Sequence, residues 1–294
     1  MESVEEWVLR AGGVASCDEL RDAGYSLRDV DRSVSRDAVQ RIRRGWVALP
    51  GAAPDVVAAI RAGGVLSCRS VIRLHGIWTG RDGAVHVRVP VFAHLPSVTP
   101  NGLVLHRTLR LAAAAPPCGG VDSISRAVAH AVLCQHRLDA IASLDSVLHR
   151  RLLSRHQVER MIGELPAVYR GYLALTDARA ESGTETRVRL GLRAVNIGFR
   201  VQVHIDGVGR VDILVGDRLV IEADSREFHT KADDVIRDKR RDLAAAERGY
   251  IVLRVNYAHV MDEWPRVIAV VRAMVGRGEH RWAQRHRRDG LLQL

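Results

Sequence analysis

The stretch RVDILVGDRLVIEADSREFH, residues 210–229, decides how the rest of the chain is read. Val211, Ile213, Val215, Leu219, Val220 and Ile221 are β-branched or aliphatic and flank the turn pair Gly216-Asp217, so the spacing predicts two antiparallel strands joined by a tight loop. Asp212, Glu222 and Asp224 interrupt these apolar strands, and register determines whether they meet. With a loop of Gly216 and Asp217 alone, Asp212 opposes Ile221 and Glu222 points to the wrong side. With a loop of Gly216 to Arg218, Asp212 opposes Glu222, and Asp224 shares their face. Val211, Ile213, Val215, Leu219, Ile221 and Ala223 then occupy the opposite face. The longer loop is the expectation.

Carboxylates gathered at one sheet face repel one another unless protons or a cation intervene, and oxygen-only donors suit Mg²⁺ or Mn²⁺. The competing reading is of surface acids in ion pairs with Arg210, Arg218 and Arg226. The flanking sequence bears on that choice. Asp233 to Arg248 is a helical run stopped by Gly249, and Tyr250 to Val255 reads as a buried strand. Strand, helix, strand implies a crossover connection and a parallel pair.

The string D…ExD…H…RDKRRD…GYIVLRV resembles the PD-(D/E)XK nuclease core, and within it the Vsr-like branch in which E-x-D-G-x-x-H replaces E-x-K. Here Glu222, Asp224 and His229 fill that pattern, Ser225 stands at the usual Gly, and Asp224 occupies the Lys position. The segment SGTETRVRL, residues 182–190, matches the family's S-x-x-E-x-R pattern. The resemblance therefore implies Glu185 as a further ligand on a helix from Glu185 to Leu192 capped by Ser182 or Thr184; the alternative is a first-turn acid favoured by the helix dipole. It also implies a restriction-endonuclease-like mixed sheet flanked by helices, with Phe199 to His204 as a first strand. On this reading Asp212, Glu222 and Glu185, with the Ala223 carbonyl, hold Mg²⁺ or Mn²⁺. Asp224 or His229 orients or deprotonates a water, and Arg237 and Arg241, one helical turn apart, clamp phosphate oxygens with Lys231 or Lys239.

A formal charge of +10 and a pI of about 10.2 favour a polyanionic partner, nucleic acid first and a membrane surface as the weaker alternative. The absence of any long apolar run or basic-then-apolar leader leads to the expectation of a soluble cytoplasmic protein without membrane association. Cys17, Cys68, Cys118 and Cys134 lack CxxC spacing and are expected to be reduced and structural, neither disulfides nor zinc ligands.

At the N-terminus, Ser3 to Arg10, Asp18 to Ala23 and Leu27 to Val34 read as helices, with Ser16 and Ser26 as caps. The stretch RIRRGWVALPG then supplies a strand from Trp46 to Leu49. This is helix-turn-helix grammar followed by a wing. Ser26, Arg28, Asp29, Arg32 and Ser33 would face a major groove, while Arg43 and Arg44 would meet phosphates. The alternative is a small helical cap with solvated arginines. Residues 1–50 resemble the winged-helix module of AbiEi-like type IV antitoxins, through GGVAS, a Leu-x-x-x-Gly and RIRRGWVAL. That resemblance implies a regulator whose partners include a cognate toxin protein.

Residues 51–115 read as a mixed second half of such a regulator, with helices Pro54 to Ala62 and Ser67 to His75 and strands Ala84 to Val89 and Leu103 to His106. His75, His86, His94 and His106 show no metal-ligand spacing and are expected at the surface or hydrogen-bonded. Beyond the Pro116-Pro117 and Gly119-Gly120 break, residues 116–170 read as a bridging helical region, and residues 171–294 as the nuclease-like domain. The expected whole is a multidomain α+β and α/β chain: a DNA-binding, Mg²⁺-dependent endonuclease targeted by a winged helix, compatible with homo-oligomerisation. The alternative is a non-catalytic DNA-binding regulator or antitoxin with a degenerate nuclease fold.

Overall fold

The computed structural model describes residues 2–93, 102–112, 114–224, 232–288 and 291. They form two compact units, Met1–His136 with Leu152–Gly171, and Arg137–Arg151 with Tyr172–Leu294. The described residues are mixed α/β with three sheets. Among the described residues no helix is long and apolar enough to cross a membrane.

The first unit opens with α1 (Val4–Arg10), β1 (Val14–Ser16), α2 (Cys17–Asp22), α3 (Leu27–Ser35), β2 (Gln40–Arg43) and β3 (Trp46–Ala48). Each helix starts in a capping box, Ser3 with Glu6, Ser16 with Glu19 and Ser26 with Asp29, which satisfies otherwise orphaned N–H groups. The strands form an antiparallel sheet in the order β1-β3-β2, over a core of Val4, Val8, Leu20, Val30 and Val47. Next come α4 (Pro54–Arg61), β4 (Val65–Leu66), α5 (Cys68–Leu74), β5 (Val85–Val89), β6 (Leu103–Arg107) and α6 (Ile124–Cys134). Here β5 pairs antiparallel with β4 and parallel with β6, while α6 packs on α5. After α7 (Arg137–His149), which belongs to the second unit, α8 (Arg155–Gly163) begins in a Ser154/Gln157 capping box, and the short α9 (Arg170–Leu173) follows.

The second unit continues through α10 (Gly183–Ala194), β7 (Phe199–Ile205), β8 (Gly209–Val215), β9 (Leu219–Asp224), α11 (Ala232–Glu247), β10 (Ile251–Asn256), α12 (Tyr257–Met261), α13 (Trp264–Gly276) and α14 (Gln284–Arg288). Its sheet runs β10-β9-β8-β7, parallel only between β10 and β9. Val215 faces Leu219 and Ile213 faces Ile221, so the loop is Gly216 to Arg218, the length the acids' pattern predicted; the paired ladder ends at Ile213 and Ile221, short of Asp212 and Glu222. Ile213, Val215, Leu219, Ile221 and Ala223 pack on Val188 and Leu192 of α10, Val260 of α12 and Val271 of α13. On the other face Leu214 and Val220 join Ala245 of α11.

Val211 departs from the expected face: it packs with Leu214, Val220 and Ala245 rather than with Ile213. The cause lies in β7. Val201 pairs with Ile213 and Val203 with Val211, but between them Gln202 adopts a left-handed backbone (φ 50°) and the Gln202/Asp212 step drops out of the ladder. A β-strand residue with positive φ breaks the pleat alternation, so side chains on either side of it exchange faces.

A buried ionic cluster fixes α10 to α7. Asp145, fully buried, accepts hydrogen bonds from the Asp177 N–H (2.7 Å), the Thr186 hydroxyl (2.8 Å) and the Arg189 guanidinium (2.8 Å). Arg187 reaches Asp139 of α7 at 2.8 Å. On α10, Gly191 leaves room for Trp264 of α13, because a Cβ there would sit 2.0 Å from the indole.

Candidate functional site

Asp212 stands between two other acids where the sheet loses its alternation, Glu222 beside it and Glu185 across the Gln202 amide. Asp212 stands at the break. Its Oδ2 accepts a hydrogen bond from the Ala223 N–H at 2.9 Å, so the side chain takes a donor of the β9 backbone. Glu222, on β9, lies against Asp212, and the two share a hydrogen bond. Glu185 comes from the first turn of α10, where the Ser182 side chain accepts from the Glu185 N–H and so caps the helix. Gln202 links it to the strands, its amide donating to Glu185 Oε2 at 2.9 Å and to Asp212 Oδ1 at 3.5 Å.

Glu185 and Glu222 are 7% and 8% exposed, and this burial carries an electrostatic cost. Burial, reinforced by Asp212, raises Glu185 from an ordinary 4.5 to about 7. Burial and then Asp212 raise Glu222 to about 7, against the pull of Arg241 and Arg254. Asp212 is raised as well, chiefly by burial, although the Ala223 N–H opposes this. Near neutral pH the cluster thus retains protons that a solvated set of acids would have lost.

Cationic side chains line one side of the cluster. Arg241 of α11 lies 3.3 Å from Glu222 and donates to the Arg210 carbonyl. Arg254 of β10, in register with Glu222, binds Asp242 at 2.6 Å and approaches Asp224 at 3.6 Å. Among the described residues no guanidinium is paired with Asp212 or Glu185. Asp224 is half exposed and turned to Arg254, so the third acid of the hairpin stands apart from the Glu185–Asp212–Glu222 group. Lys239 is exposed on α11. His229 and Lys231, and the side chain of Arg237, lie outside the described residues. Gln202 and Arg254 carry no mark in the sequence, since each sits in an ordinary strand between apolar residues.

In the N-terminal unit Arg28 and Arg32 are exposed on α3, with Arg32 in a surface pair with Asp29 at 3.2 Å. The expected groove-facing row is shorter than its spacing suggested. Ser26 and Asp29 are consumed by the capping box, and Ser33 is buried against Glu5 of α1. Arg43 donates to the Ile60 carbonyl at the end of α4, while Arg44 is exposed.

The cysteines and histidines of this unit are placed differently from the expectation of scattered side chains. Cys68, His86, His106 and Cys134 bring one donor atom each within 4.8 Å of one another. All four cysteines are free thiols. Hydrogen bonds from Cys68, His106 and His86 hold Cys134 well below the usual thiol range, whereas burial pushes Cys68 up. His75 is exposed, and His94 lies outside the described residues.

No protein-family model matches the chain. The uncharacterized proteins MT2308 and Rv2248, from two strains of Mycobacterium tuberculosis, are each 27% identical to it over 216 residues, covering 67% of this chain and 75% of their own. Among solved structures, the catalytic domain of the homing endonuclease I-Bth0305I is similar with 24% identity and a TM-score of 0.28 over 32% of this chain and 94% of that one. The RV2827C protein from Mycobacterium tuberculosis is similar with 17% identity and a TM-score of 0.31 over 62% of this chain and 78% of that one. The chain is thus similar to two mycobacterial proteins at the level of sequence, while both structural superpositions are too loose to carry further statements about it.

Proposed function

We propose that the second unit is a divalent-metal-dependent phosphodiesterase acting on DNA, and that residues 1–50 form a winged helix-turn-helix that delivers it to duplex. The observation that carries this reading is the grouping of Glu185 and Glu222, both buried and raised to about 7, with the half-buried Asp212, itself raised, beside two arginines. Such a cluster costs stability unless a cation takes the place of the protons, and its donors are all oxygens, as a hard ion requires. The Gln202 Oε1, buried and unpartnered among the described residues, adds another oxygen beside the acids. The oxygen donors of these residues are of the kind that Mg²⁺ or Mn²⁺ takes.

Bound there, the ion would polarise a phosphoryl oxygen and lower the pKa of a water. The remaining roles belong to the chain. Asp212, fixed by the Ala223 N–H, and Glu222 are the strand ligands, and Glu185 joins from α10 under the control of Gln202. Arg241 and Arg254 carry positive charge to the mouth of the cluster, where phosphate oxygens would neutralise it. Arg28, Arg32 and Arg44, exposed in the N-terminal unit, supply backbone contacts to DNA. The net charge of +10 favours such a polyanion.

The test is a nicking and cleavage assay on supercoiled, linear, mismatched and single-stranded DNA with Mg²⁺ or Mn²⁺, alongside RNA. Cleavage lost in Asp212→Asn supports the proposal, whereas cleavage that survives in Asp212→Asn and Glu222→Gln refutes the assignment. A second reading, a DNA-binding regulator or toxin-neutralising protein without catalysis, is favoured by the pairing of Asp224 with Arg254 and of Glu222 with Arg241. Its signature is salt-dependent DNA binding with no Mg²⁺ heat in calorimetry.

A further inference from the structure

Four side chains outside the acid cluster make a second and chemically different constellation. Cys68 opens α5 with a left-handed backbone (φ 50°), His86 lies on β5, His106 on the parallel neighbour β6, and Cys134 closes α6. His86 pairs with Val104, two residues before His106, so both imidazoles project from the same face of the sheet. His86 Nδ1 lies 2.9 Å from His106 Nε2 and 3.8 Å from Cys134 Sγ. All four donor atoms fall within 4.8 Å of one another. In a tetrahedron of two thiolates and two imidazoles around zinc, the edges are about 3.8 Å between sulfurs, about 3.6 Å between sulfur and nitrogen and about 3.3 Å between nitrogens. The observed separations match that scale.

The surroundings of His86 point the same way. Its outer nitrogen, Nε2, lies 2.6 Å from Asp82 Oδ2, and Asp82 is held by Arg69 at 2.7 Å and by the Ala84 N–H at 2.8 Å. A carboxylate on the outer nitrogen fixes the tautomer that turns the lone pair of Nδ1 toward the other three donors, the arrangement that metal-bound histidines characteristically show. The Arg69 N–H, in turn, hydrogen-bonds the Cys68 sulfur. Buried His130 tilts against His106 with ring centroids 5.6 Å apart.

We propose that Cys68, His86, His106 and Cys134 bind one zinc ion as a closed structural site within the N-terminal unit. Two thiolates and two imidazoles select a borderline-soft cation and disfavour Mg²⁺, so this site is separate in kind from the acid cluster. Four protein ligands leave no position for substrate, which makes the role structural. The ion would join α5, β5, β6 and α6, and so tie in β6, a strand with no fully buried residue and hydrogen-bonded to β5 alone among the described strands.

The full-length chain, expressed with added zinc and desalted, is expected to carry one zinc per chain by elemental analysis. Replacement with Co²⁺ is expected to give the intense visible bands of tetrahedral cobalt with thiolate charge transfer. Cys134→Ser and His106→Ala should lose at least nine-tenths of the bound metal, whereas Cys118→Ser should keep it. Because a ligand loss alone can unfold the unit, His106→Cys is the decisive variant: it presents three thiolates and one imidazole and should retain zinc with a shifted cobalt spectrum. A wild-type chain with no more zinc than a Cys68→Ser/Cys134→Ser double variant, octahedral cobalt bands, or a Cys68–Cys134 disulfide found under reducing purification would overturn the proposal. Asp212→Asn should leave the zinc content unchanged, so failure of the nuclease reading and failure of this one are told apart.

Discussion

Replacing Glu185 by Gln tests the electrostatics of the acid cluster directly. The side chain is nearly fully buried, and its carboxyl is raised from 4.5 to about 7 by burial and by Asp212. Below pH 4 the folded and unfolded chains are both protonated at this position, so it contributes no pH dependence there. Between about pH 4.5 and 7 the unfolded chain has ionised while the folded chain still holds the proton, so stability falls as pH rises, by about 1.4 kcal/mol per pH unit. Across that window the loss sums to about 3 kcal/mol. Gln preserves the shape, can accept from the Glu181 N–H and Gln202 amide as Glu185 does, and carries no charge. Glu185→Gln should therefore match the wild type at pH 4.5 and exceed it at pH 8.5 by about 3 kcal/mol. For a unit of this size that is a rise of about 5–10 °C in Tm. Differential scanning calorimetry in EDTA at both pH values reads the difference. Mg²⁺ at pH 8.5 should stabilise the wild type and leave the variant nearly unmoved. Parallel pH profiles for the two proteins would refute the reasoning, because Glu185 would then titrate as a solvated acid.

Asp145→Ala should cost about 3–5 kcal/mol in urea unfolding, since it strands the Arg189 guanidinium, itself 5% exposed, without its carboxylate. Asp145→Asn should cost less, because the amide still accepts from Thr186. Gly191→Ala gains about 1 kcal/mol of helix propensity but forces Trp264 aside, a net loss of about 1–2 kcal/mol by the same measurement. Arg28→Ala and Arg32→Ala should each weaken DNA binding and lower the slope of log K against log salt by about 1, as measured by fluorescence anisotropy titrations; an unchanged slope would remove α3 from the interface.

The hairpin was legible because its acids and its apolar residues each demanded one face, and only a single loop length satisfies both. Helix starts were legible for a comparably local reason: Ser16, Ser26 and Ser182 each cap within three residues of chain. What failed were expectations that assume regularity. Val211 was assigned by strict alternation, and the left-handed turn of backbone at Gln202 cancels that rule at one step. Ser33 obeyed helical spacing yet faces α1, since an exposed-looking serine and a buried one are written with the same letter. The cysteine and histidine cluster was illegible because its members come from four elements spread between residues 68 and 134, with no short spacing to betray them. Gln202, joining Glu185 to Asp212, is one polar residue in a strand where Arg200 and His204 are polar too.

The route of the chain carries a consequence for how this molecule could be inherited or dissected. The polypeptide leaves the first unit after His136, re-enters it at Leu152 and leaves again after Gly171. The carboxylates that neutralise Arg187 and Arg189, Asp139 and Asp145, therefore arrive on an upstream excursion, far from the strands bearing the acids. A gene fragment starting near residue 172 would encode all of the sheet but leave two guanidinium groups facing nothing, so recombination could not have transplanted the C-terminal half as a self-sufficient cassette. The ribosome faces the same constraint: α7, buried on nearly all sides in the folded chain, emerges well before α10 and must wait for its guanidinium partners until α10 has been made.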